Sequence, residues 1–95
     1  MKKFFVIEDE LHSEQHGEFG DLESAVAELR RRAHIPWDHE PNVAPCTSWR
    51  TCGRNYEIIE YEEDHDHWRE LNRLPAMEIS SDGVKWSESF GEQPP

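Results

Sequence analysis

The sequence predicts an α+β fold: a two-layer sandwich in which a mostly antiparallel sheet of three or four strands carries one main helix on one face. Three observations lead there. Phe4-Phe5-Val6-Ile7 and Tyr56-Glu57-Ile58-Ile59 are apolar on alternating sides, the pattern of strands near a sheet centre. Leu22, Ala25, Val26, Leu29 and Ala33 recur at i, i+3, i+4, i+7 and i+11, which places them on one helical stripe. Asp82-Gly83 followed by Val84-Lys85-Trp86 carries the turn chemistry of a two-residue hairpin.

Taken in order, Lys3 to Glu8 is the first strand. Asp9 to Gly20 is polar and punctuated by Gly17 and Gly20, so it supports only a connection with at most one turn of helix. His12 and His16 stand at helical spacing there, and Gly17 weakens any pairing between them. The main helix follows Asp21, an N-cap whose carboxylate accepts from free first-turn amides, and Arg30, Arg31 and Arg32 fall where cations meet the negative end of the dipole. Pro36 ends it.

Ile35 to Arg54 holds three prolines, Gly53, Trp37 and Trp49. Neither periodic template fits, so an ordered Ω-like segment is expected. Asn55 to Glu62 is the next strand and should pair with the first. His65 to Leu74 sets Trp68 and Leu71 three apart, with Asp64 or Asp66 to cap and Pro75 to stop, and reads as a short second helix. Ala76 to Trp86 is the hairpin. The expected order is therefore β, α, long loop, β, α, β, β. Residues 1–90 form a single domain, and 91–95, with no apolar anchor, form a frayed tail.

The chain has 95 residues, with ten Lys and Arg against twenty-one Asp and Glu, a net charge of −11. That balance opposes direct binding to nucleic acid or an anionic membrane. Charging all six histidines would reduce it to −5. Leu, Ile, Val and Phe make about a fifth of the chain, so four Trp and two Tyr must supply much of the core area. Only Phe4 to Ile7 follows Met1-Lys2-Lys3 before acids begin, and neither a signal peptide nor a bilayer-spanning run is read here. A soluble cytoplasmic protein is the expectation.

Seven acids lie between Glu57 and Glu70, a density suited to steering a cationic partner. Trp37, Trp49, Arg50 and Arg54 offer the flat area and directed donors that interfaces favour, with both Trp residues equally needed by the core and both Arg side chains expected at the surface. The leading reading is a small acidic module that binds and neutralises or regulates a basic protein, in the manner of an antitoxin, an immunity protein or a nucleic-acid mimic. Its partner-binding candidates are Trp37, Trp49, Arg50, Arg54, Glu62, Glu63 and Asp64, with no catalytic residue and no cofactor.

The chemical alternative is a zinc or thiol site built from Cys46, Cys52, His65 and His67. Two thiolates and two imidazoles suit tetrahedral zinc, although spacings of six and two positions are not those of zinc motifs. A thiolate nucleophile at Cys46 or Cys52 would draw on Arg50 or Arg54, but no nucleophile elbow or oxyanion loop accompanies it. A further alternative is a homodimer without catalytic activity, joined at a sheet edge or through exposed aromatics.

Overall fold

The computed structural model describes residues 2–45 and 53–90. Among these residues, five strands form one antiparallel sheet: β1 (Lys2–Asp9), β2 (Glu14–Phe19), β3 (Arg54–Asp64), β4 (His67–Ser80) and β5 (Gly83–Trp86), in the spatial order β2-β1-β3-β4-β5. The helix α1 runs from Leu22 to Ala33, and a 3-10 turn covers Glu88–Phe90. The α+β class and the single main helix are as the sequence reads. The strand count is higher, and the second helix is a strand.

The two misread segments have physical causes. β2 is a polar edge strand in which Gly17 takes φ +119°, so no apolar alternation marks it. In β4, Trp68 and Leu71 match a helical spacing by chance, while the turn that precedes them is made by His65 and Asp66 with φ of +48° and +71°. Positive φ at both central residues is the condition for a type I′ hairpin, usually met by Asn-Gly. Asp64 faces His67 directly across that turn. The last hairpin is displaced by one residue from its expected turn. Ser81 and Asp82 form the turn, and Gly83, at φ +110°, opens β5.

Residues opposite one another in antiparallel strands share a face. β1 pairs with β3 from Lys2 and Glu63 to Asp9 and Tyr56, so Phe5, Ile7 and Asp9 lie with Glu60, Ile58 and Tyr56 on one face. Phe4, Val6 and Glu8 lie with Tyr61, Ile59 and Glu57 on the other. The helix covers the first face. Ala25, Val26 and Leu29 pack with Ile7, Tyr56, Ile58, Met77 and Ile79, and Leu22, Ala33, Trp37, Trp86 and Phe90 close the margin. Asp21 caps the helix by accepting from Ser24 N at 2.7 Å, as its position before the stripe requires.

No helix among the described residues is long and apolar enough to cross a membrane.

Candidate functional site

Two features could carry function: a buried polar centre on the helix face, and the opposite face of the sheet.

The polar centre is organised by Asp9, which is fully buried. Its Oδ1 accepts from Leu11 N at 3.1 Å and Asn55 N at 3.0 Å, and its Oδ2 meets His12 Nδ1 at 2.5 Å and Arg54 at 3.0 Å. A carboxylate at the last position of an apolar strand thereby shapes the β1–β2 turn and fixes the start of β3. Arg54, only 6% exposed, also donates to Glu14, to Asn42 O at 3.2 Å and to Val43 O at 2.6 Å. Buried charge demands such pairing. Arg54 is thus not the surface cation expected from the sequence: its donors are spent within the chain, tying the segment after α1 to the sheet.

His16 lies between the guanidiniums of Arg32 and Arg54. Its Nδ1 is 3.0 Å from Arg32 Nη1, and its Nε2 is 3.3 Å from Arg54 Nη1 and 3.4 Å from Glu14. With Nδ1 accepting from Arg32 and Nε2–H donating toward Glu14, the neutral ring satisfies its neighbours. Burial, and then the two cations, hold its pKa below the usual histidine value. Arg32 is buried, pairs with Glu28 at 2.6 Å and sits over the Tyr56 ring at 5.2 Å. The helix dipole alone therefore does not account for the Arg30–Arg32 run. Asn42 completes the centre by accepting from Tyr56 OH at 3.0 Å and donating to Arg32 O and Ile35 O. The arrangement is internally satisfied and acts as a clamp.

The opposite sheet face differs. Phe4, Tyr61 and Trp68 form a ring cluster: Phe4 and Tyr61 stack at 5.6 Å, and Trp68 meets Phe4 edge-on at 4.7 Å. Trp68 remains 46% exposed. Beside the cluster, Arg73 is held by Glu8, Glu57 and Glu70 at 3.3, 3.1 and 2.9 Å. Burial raises the Glu57 pKa despite Arg73. Neither α1 nor the 3-10 turn lies on this face; both contribute to the helix-face core.

Glu62, Asp64, His65, His67 and Arg69 gather around a cleft of about 290 Å³ at the β3–β4 tip. Glu62 is buried and pairs with Arg69 at 2.6 Å, while Glu63 is half-buried and Asp64 exposed. Trp37 is half-buried against the core. Trp49, Arg50, Cys46 and Cys52 lie outside the described residues. His65 and His67 are exposed at the hairpin tip, at the opposite end of the 11-residue β3 from Gly53. Among the described residues no group of three or more His, Cys, Asp or Glu side chains is placed to hold a metal ion.

The sequence reading missed Trp68 as a surface residue, because a helical spacing assigned it to a core. It also missed the convergence on Asp9, whose partners Arg54 and Asn55 lie 45 and 46 residues away. Comparison with protein-family models, with curated proteins and with solved structures returns no match.

Proposed function

We propose that the protein binds a basic protein partner through the sheet face that carries Phe4, Tyr61 and Trp68, and so neutralises or regulates it. The observation that supports this most is the half-exposed Trp68 ring standing on a buried aromatic base, beside Glu8, Glu57 and Glu70 around a single guanidinium. An exposed indole on a rigid support supplies contact area at low entropic cost, and the surrounding carboxylates select cationic partners and raise the rate of encounter. The net charge of −11 extends that attraction beyond the contact.

A photo-crosslinking side chain in place of Tyr61, used in the native host, identifies the partner. Its association rate with the unmodified protein should then fall by about tenfold or more between low and physiological salt. Trp68→Ala should speed dissociation, and charge reversal at Glu63 and Asp64 should slow association without unfolding the sheet, Glu62 being spared because it is buried against Arg69. A captured protein whose rates ignore both salt and Trp68→Ala overturns the reading.

A further inference from the structure

Resting on the partner-binding role proposed for the uncovered sheet face, we infer that the side chain received beside Trp68 is an arginine, whose guanidinium stacks on the indole while its edge donates to Glu63. Register brings the two groups together. Glu63 lies opposite Trp68 on one side and opposite Lys2 on the other, so Lys2, Glu63 and Trp68 form one row across the face. Phe4, Tyr61 and Glu70 form the next row, and its two rings support the indole at 4.7 and 5.5 Å.

Glu63 stands apart from the other acids. Among the described residues whose carboxylates have no hydrogen bond or ion pair, Glu63 alone is half-buried; the rest are exposed. A carboxylate withdrawn from water without a partner is unfavourable, and no cation nearby relieves it. Lys2 is exposed and makes no ion pair with it, Arg73 is held by Glu8, Glu57 and Glu70, and Arg69 pairs with Glu62 on the other side of the sheet.

The chain itself shows what completes a ring and a carboxylate. On the helix face the Arg32 guanidinium lies over the Tyr56 ring at 5.2 Å while its Nε donates to Glu28 at 2.6 Å. Trp68 and Glu63 repeat the ring and the carboxylate at the surface. Arginine suits them better than lysine: its flat, weakly hydrated cation stacks on a ring with one surface and hydrogen-bonds in its own plane, whereas an ammonium is a strongly hydrated point charge. The net charge of −11 draws such a cation toward the molecule.

The test is an NMR titration of the isotope-labelled, full-length protein at low salt with two capped peptides, acetyl-tetra-arginine amide and acetyl-tetra-lysine amide. Their equal charge removes the general effect of net charge. The readout is the Trp68 indole N–H signal, which Trp68→Phe assigns. The arginine peptide should shift it saturably and bind about threefold or more tighter than the lysine peptide. Glu63→Gln should weaken the arginine peptide by about fivefold or more. Glu78→Gln removes the same charge from an exposed acid at the far end of the same face and should change the affinity by less than about twofold. The comparison of peptides on the unmodified protein decides even if Glu63→Gln disturbs the sheet. Equal affinities for the two peptides, or equal losses in the two variants, overturn the arginine while leaving a basic partner on this face. A Trp68 signal that neither peptide moves overturns the inference and counts against the face as well.

Discussion

His16 shows how one side chain reports on its surroundings. Glu14 approaches from β2, Arg54 and the Tyr56 ring from β3, and Arg32 from α1. A proton added to Nδ1 would point at the Arg32 guanidinium, so the folded state resists charging the ring. Because the folded pKa lies below the unfolded one, the unfolded chain takes up the proton first. Stability from this residue is complete above the unfolded value of about 6.5 and is lost as pH falls below it. Urea unfolding between pH 7 and 5 should show that decline, and His16→Gln should flatten it. An unchanged slope in the variant would assign the decline elsewhere. Carboxylates held low by arginines, such as Glu28 beside Arg31 and Arg32, act only at lower pH. Glu57, shifted upward, has the opposite sign, since its contribution is lost as pH rises through its raised value.

At the scale of elements, the β3–β4 hairpin carries the least suitable turn chemistry in the fold. His65 and Asp66 both occupy left-handed backbone, a conformation that costs an L-residue on the order of 1 kcal/mol and glycine almost nothing. The double variant His65→Asn, Asp66→Gly should therefore stabilise the protein by about 1 kcal/mol and raise Tm by about 4–8 °C. Thermal unfolding checks it; a lower Tm would show that the native side chains contribute more than their backbone strain costs. The same hairpin marks the boundary of what the sequence disclosed. Strands with apolar residues on both sides, such as β1 and β3, and a helix with a clean stripe and a cap are legible because local pattern and burial agree. β4 was obscured because a long, mostly exposed strand has little alternation to show and its turn lacks glycine. Arg54 was obscured because the acids that bury it lie far off in the chain. The acidity of the chain was legible from composition; on which face of the sheet each acid falls was not, since that depends on strand register and on the side that α1 takes.

For the whole molecule, an excess of eleven negative charges opposes compaction, although Arg54 and Arg73 each gather acids around themselves. Screening should relieve more repulsion than it removes attraction, because exposed pairs contribute little while self-repulsion sums over the surface. The urea midpoint should rise between about 10 and 150 mM sodium chloride. A falling midpoint would show that the ion pairs dominate instead.

The placement of β1 between β2 and β3 has a consequence for how the protein is made. Phe4 to Ile7 leave the ribosome before β2, which follows to cover one edge of β1. The other edge waits for β3, which ends at Asp64. At roughly 5–20 residues per second the wait is about 3–11 s. During it, a short apolar segment with strong β propensity stands half-paired among other nascent chains, the circumstance in which such segments aggregate. Lys2 and Lys3 lie before it, and Glu8, Asp9 and Glu10 after it. Charges flanking a hydrophobic strand deter stacking with its neighbours, so the residues that later bind Arg73 and Arg54 first serve as guards of an unfinished sheet.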